Sequence, residues 1–190
     1  MKTISVKVYP FDELSDQAKQ VAIEHYYDNY MGTWWEYVYE DASQMSISIR
    51  EFDVYRRYCK VDFVDSAIET HEAIIEAGVT GQLKEIADDW KEEVDNLAKS
   101  YSNYDEFLDW LSDRGFTEDD FDFDHWLLYE SGYADDRESV DYDFLKQIAE
   151  YYLSNLSYAY EYYNSEEYIS SFYDDIDALF LESGKEAPNE

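Results

Sequence analysis

Ile47-Ser48-Ile49-Arg50-Glu51-Phe52-Asp53-Val54-Tyr55 and Tyr58-Cys59-Lys60-Val61-Asp62-Phe63-Val64 decide the fold class. Apolar side chains recur at Ile47 and Ile49 and, less regularly, at Phe52 and Val54. Such alternation marks a half-buried strand, and two runs joined by a short turn predict an antiparallel pair. Thr3 to Tyr9 alternates in the same way, with Ile4, Val6 and Val8 on one face, and predicts a further strand ended by Pro10. Elsewhere the spacing is helical.

Ser15 is placed to cap a helix whose apolar stripe is Ala18, Val21, Ala22 and Tyr26. Trp34 to Ala42 forms a second. Ser66-Ala67-Ile68-Glu69 reads as a capping box and opens a third, stopped by Gly78. From Thr80, the residues Leu83, Ile86, Ala87, Trp90, Val94, Leu97 and Ala98 fall on one helical face. Further helices are expected over Tyr104–Arg114, from Thr117 to Gly132, and over Tyr142–Tyr163. Ser165 is placed to cap a last one, with Gly184 after its end. The class is therefore α+β and mostly helical, with a small antiparallel sheet among helices in the N-terminal half and a helical C-terminal half. The expected regions are 1–99, 100–184 and a frayed tail at 185–190, with one continuous domain as the alternative.

The 190 residues carry 46 Asp and Glu against 14 Lys and Arg, a formal net charge of -32. Extended contact with nucleic-acid phosphates needs clustered Lys and Arg, so direct nucleic-acid binding is not expected. Anionic lipid is disfavoured for the same reason, and no apolar run is long enough to span a bilayer. The first residues lack an apolar segment of signal-peptide length, and Cys59 is the single cysteine, so the expected location is a reducing cytoplasm. High charge favours disorder. The 21 Tyr, 10 Phe and 5 Trp, with only 6 Gly and 2 Pro, favour a folded, aromatic-cored chain.

Patterns of catalysis are weak. His71-Glu72-Ala73-Ile74-Ile75 has Ile where a zinc helix needs a second His. Asp120, Asp122 and Asp124 occupy the first alternate positions of a calcium loop, but His125 stands for its Gly and Ser131 for its Glu. A divalent-metal protein is kept as an alternative; no metal or cofactor is expected. His25, His71 and His125 are far apart, and no glycine-rich phosphate loop is present. No enzymatic role is expected.

Residues 1–99 hold 21 acids and 10 bases, and residues 100–190 hold 25 acids and 4 bases. A compact chain of this length is roughly 40 Å across. Such a face overlays about 12 base pairs with about 24 phosphates. The excess acid of the back half has the same order, so rigid helices there could imitate a phosphate lattice. Acids also recur at helical neighbours, such as Asp105 and Asp109 or Asp174 and Asp177, each like-charge pair costing a few tenths of a kcal/mol. The expected partner is a basic nucleic-acid-binding protein. The expected contact residues are Asp119, Asp120, Asp122, Asp124, Asp135, Asp136, Glu138, Asp141, Asp143, Glu161, Glu166, Glu167, Asp174, Asp175 and Asp177. Nine tyrosines between Tyr142 and Tyr173 fall all round the helices, more than a core needs, and Tyr is favoured at interfaces.

Tyr9-Pro10-Phe11-Asp12-Glu13-Leu14-Ser15-Asp16-Gln17-Ala18-Lys19 and Trp34-Trp35-Glu36-Tyr37-Val38-Tyr39-Glu40-Asp41-Ala42 resemble the opening motifs of phage and prophage proteins of unknown activity, some labelled antitoxin. The likeness covers about residues 1–42, and by pattern extends to Asn96. Relatives continue into a Trp- and Gly-rich strand segment, whereas Ile49 to Lys60 contains neither residue. The resemblance implies a phage origin and an infected bacterial cytoplasm. In composition the chain also resembles acidic phage inhibitors of host defence, including DNA mimics that block restriction enzymes or CRISPR effectors. An antitoxin-like partner of a basic toxin is the alternative, and a homodimer is allowed.

Overall fold

The computed structural model describes residues 6–100, 112 and 134–188, with side chains at 6–96, 112 and 140–188. The protein is α+β and mostly helical, with a two-stranded antiparallel sheet. In chain order the elements are a 3-10 turn Phe11–Glu13, α1 Asp16–Asn29, α2 Glu36–Gln44, β1 Ile47–Asp53, β2 Tyr58–Phe63, α3 Ala67–Glu76, α4 Gln82–Ser100, α5 Ala134–Tyr163 and α6 Glu166–Asp175. Among the described residues no helix is long and apolar enough to cross a membrane.

The caps explain where helices begin. Ser15 Oγ accepts from the Ala18 N–H at 3.4 Å, Ser66 Oγ from Glu69 at 3.2 Å and Ser165 Oγ from Tyr168 at 3.1 Å. Each satisfies a backbone donor that the first helical turn leaves without an internal partner. The Ser66 hydroxyl also donates to the Glu69 carboxylate at 3.1 Å. Gly78, at φ 65°, lets the chain turn into the left-handed region and stops α3. The expected Tyr104–Arg114 and Thr117–Gly132 helices lie outside the described residues, apart from Ser112.

The chain divides into two compact units. Unit 1 comprises residues 1–38 and 155–190, and unit 2 residues 39–154; the division cuts α2 and α5. This division does not follow the boundary expected near residue 100. Sequence order does not define the units, because the C-terminal segment returns to the N-terminal one.

Unit 1 is built around aromatic rings. Phe11, Tyr26, Tyr173 and Phe180 are buried with Leu14, Ala18, Ala22 and Ile169. Phe11 stacks on Tyr173 at 5.6 Å, and Phe180 meets Tyr173 edge-on at 4.8 Å. The Tyr173 hydroxyl donates to the Ala22 carbonyl at 2.8 Å, so a buried phenol carries its own partner. Small residues on α1, Ala18 and Ala22, make room for these rings.

Two expectations for unit 1 are corrected. Residues 3–5 of the expected first strand lie outside the described residues. In the rest only Tyr9 pairs, as a single antiparallel bridge to Phe180. Val6 is 59% exposed and Val8 is also exposed. Alternation needs a neighbouring strand to bury its apolar face, and one bridge supplies none. The tail is also ordered through Pro188 rather than frayed from Lys185. The Leu181 N–H donates to the Lys185 carbonyl and the Ala187 N–H to the Leu179 carbonyl, closing a tight return beside buried Phe180. Gly184 is not the stop of α6, which ends at Asp175 with Asp177 at φ 52°. A Cβ at Gly184 would lie 2.0 Å from the Ala18 carbonyl oxygen, so this glycine lets the tail press on α1.

Unit 2 holds the sheet. Ile47 pairs with Phe63 and Ile49 with Val61, and the register shifts between Ile49 and Glu51. Ile47, Ile49 and Val61 are buried together with Ile74 of α3 and Leu83, Ile86, Ala87, Trp90 and Val94 of α4. Trp90 stacks on Phe144 of α5 at 5.0 Å, and Phe63 lies 5.8 Å from the same ring. Thr70 is buried and its hydroxyl donates to the Ser46 carbonyl at 3.2 Å, tying α3 to the start of β1. α5 is described from Ala134, eight residues before the expected start at Tyr142.

Candidate acidic interaction surface

The sequence-derived contact residues separate into four groups. Asp119, Asp120, Asp122 and Asp124 lie outside the described residues. Asp135, Asp136 and Glu138 fall in the opening turns of α5, where the backbone alone is described. Asp141 and Asp143 belong to unit 2. Glu161, Glu166, Glu167, Asp174, Asp175 and Asp177 all belong to unit 1 and are exposed.

Asp141 has a structural task. It is half-buried, and its carboxylate accepts the Trp90 indole N–H at 2.9 Å. Asp143, two residues on, is exposed.

The six acids of unit 1 are positioned by the end of α5, by α6 and, for Asp177, by the turn after α6. Ile169 and Tyr173 face the core. Glu166, Glu167, Ser170, Ser171 and Asp174 flank that buried face or lie away from it, and with Asp12 they line an open groove of about 460 Å³. Ser170 Oγ donates to Asp12 Oδ1 at 2.7 Å, which brings the Phe11–Glu13 turn and α6 together. Lys19 Nζ pairs with Glu166 at 2.8 Å and sits 5.3 Å over the Phe11 ring. The Glu166 carboxylate, chiefly by that hydrogen bond, raises the Lys19 pKa. Asp12 and Lys19 were not among the residues expected from sequence. They lie far from α6 along the chain, and no local pattern joins them.

The two ends of α6 differ electrostatically. Glu166 and Glu167 sit in the first turn, where the helix dipole favours negative charge. Asp174 and Asp175 sit in the last turn, where it opposes negative charge, and that turn contains no basic residue.

Cations concentrate elsewhere. Arg50, Arg56, Arg57 and Lys60 cluster on the β1–β2 hairpin of unit 2. Arg50 pairs with Asp62 at 2.9 Å and Arg56 with Asp53 at 3.5 Å. Arg57 adopts φ 53° in the turn, a conformation that glycine adopts more readily. On α4, Lys84 pairs with Asp88 and Lys91 with Asp95, each four residues apart.

Other titratable groups serve the packing. His71 lies 5.5 Å from the Trp90 ring, and burial, then the nearby Lys91 charge, lowers its pKa. Burial pushes the Cys59 thiol up to about 11, away from the reactive thiolate. In unit 1, His25 Nε2 lies 2.9 Å from Glu186 Oε2, and the Tyr30 hydroxyl donates to the same oxygen at 3.0 Å. Asn29 Nδ2 lies 2.9 Å from His25 Nδ1. This network ties the tail to α1. Among the described residues no three His, Cys, Asp or Glu side chains are placed to hold one metal ion.

No protein-family model, curated protein or solved structure matches the chain.

Proposed function

We propose that the protein is a phage-encoded, non-enzymatic inhibitor that binds a basic nucleic-acid-handling host defence protein through the anionic surface of unit 1. It would occupy the groove meant for a phosphate backbone and so exclude the nucleic acid. The observation that carries this reading is the pair Asp174 and Asp175 on α6. Each carboxylate at a helix C-terminus costs about 0.3–1 kcal/mol. No cation in that turn offsets it. Acids kept where they weaken their own helix are explained by what they bind. Glu161, Glu166, Glu167 and Asp12 extend the same negative potential in the same unit.

Such a surface attracts a basic groove at a distance and speeds encounter, and salt weakens it. The test is capture of proteins from a bacterial lysate on the immobilised chain, followed by elution with rising salt. Basic nucleic-acid-binding proteins should elute as salt rises, and duplex DNA should compete for them. The variant E166Q/E167Q/D174N/D175N should release them at lower salt. Capture that is indifferent to salt, to DNA and to these four substitutions would overturn the reading.

A further inference from the structure

We propose that the partner segment received by unit 1 is arginine-rich rather than lysine-rich, with guanidinium groups stacking on Tyr158 and Tyr162. The inference rests on the anionic-surface reading and adds the chemistry of the partner. Tyr158, Glu161 and Tyr162 are spaced three and four residues apart on α5, so they form one stripe along the helix. The stripe is exposed: Tyr158 at 69% and Tyr162 at 51%. Core packing does not require these rings, because Leu156 and Ala159 are the buried residues of this turn and Tyr160 takes the contact with Trp34 at 5.4 Å.

The two rings are presented differently. Among the described residues Tyr158 makes no ring contact and its hydroxyl no hydrogen bond. Tyr162 is braced, 5.4 Å from Tyr163 and 5.0 Å from Tyr168. Its position is therefore set before any partner arrives, which lowers the ordering cost of binding.

Among the described residues no cation of the chain sits over these rings. No Lys or Arg occurs between Lys146 and Lys185. The cations that sit over rings among the described residues are Lys7 on Tyr9 and Lys19 on Phe11. An incoming cation would thus meet an aromatic face beside Glu161, with Glu166 and Glu167 at the start of the next helix. A guanidinium is flat and weakly hydrated, so it can lie on a ring while its edge donates two hydrogen bonds to a carboxylate. An ammonium is compact and strongly hydrated, and uses the carboxylates mainly as point charges. The aromatic stripe adds affinity for the first far more than for the second.

The test compares fluorescently labelled nona-arginine and nona-lysine peptides binding to the intact protein at one fixed ionic strength. Both should bind, with nona-arginine roughly four- to twenty-five-fold tighter, as expected for two exposed cation–π contacts each contributing a factor of about 2–5. Tyr158→Leu, at a ring with no described ring contact, should reduce that ratio, and Y158L/Y162L should bring it close to one without weakening nona-lysine. Y158F/Y162F should retain the preference. Equal affinities in the unaltered protein, or a preference that Y158L leaves undiminished or that persists in Y158L/Y162L, would overturn the arginine inference and leave the anionic surface standing. Failure of both peptides to bind would overturn the surface reading itself.

Discussion

The indole N–H of Trp90 on α4 donates to the carboxylate of Asp141 on α5 at 2.9 Å. Trp90 is buried and stacks on Phe144, three residues beyond Asp141. One carboxylate of an acid-rich helix is thereby committed to the core of unit 2, while Asp143 beside it is exposed.

This pair separates structural from surface acids. Asp141→Ala should lower stability by about 1–2 kcal/mol, because a charged acceptor is lost from a half-buried hydrogen bond. Asp141→Asn, which keeps an acceptor oxygen, should cost less. Neither should change nona-lysine affinity by more than about two-fold, since one charge among many is altered. Urea unfolding followed by Trp fluorescence, with a parallel binding titration, checks both.

Asp174 and Asp175 should behave in the opposite way. D174N/D175N should raise stability by about 0.6–2 kcal/mol, the sum of two relieved dipole interactions. The same variant should bind polycations more weakly. Thermal melts at low and high salt test the electrostatic origin, since the stabilisation should shrink as salt rises. A variant less stable at low salt would remove the main support for the proposed function.

Gly184 is predicted to be intolerant of any side chain. A methyl group there would overlap the Ala18 carbonyl, and φ is +84°. Gly184→Ala should cost about 3 kcal/mol or more, combining overpacking with a left-handed backbone. Proteolysis near residues 179–187 should rise in the variant, because the tail would lift from α1.

Stability should fall in alkali through the buried phenols. Burial, then the neighbouring Tyr168, pushes the Tyr26 pKa up to about 12, and burial likewise raises Tyr152 and Tyr173. A phenol with a raised folded pKa holds its proton more tightly folded than unfolded. Its contribution is therefore complete below pH 10 and is lost as pH rises from 10 towards 12. Urea unfolding midpoints should decline across that window while tyrosinate absorbance lags behind that of a denatured control. Tyr26→Phe should flatten part of the decline.

Local chemistry was legible in sequence. Ser15, Ser66 and Ser165 cap the helices expected of them, because a cap depends on residues three positions away. The β1–β2 pair was legible because a hairpin joins neighbours in the chain. Thr3–Tyr9 misled because its alternation does not reveal whether a strand waits beside it. The place of Gly184 after the last expected helix suggests a helix stop, whereas its role depends on Ala18, far away in sequence. Asp12 in the acidic groove and Lys19 paired with Glu166 escape the sequence for the same reason.

The amino-acid sequence by itself determined the net charge of -32, the α+β class and the helical phase that aligns Tyr158, Glu161 and Tyr162. These follow from composition and from spacings within a turn or two. Only the tertiary structure decided that Asp141 serves Trp90, that Asp12 meets Ser170 and that the tail binds α1 through Glu186. Periodicity tells which side chains share a face. It does not tell which distant segment that face will meet, because that depends on how the buried rings of each unit pack.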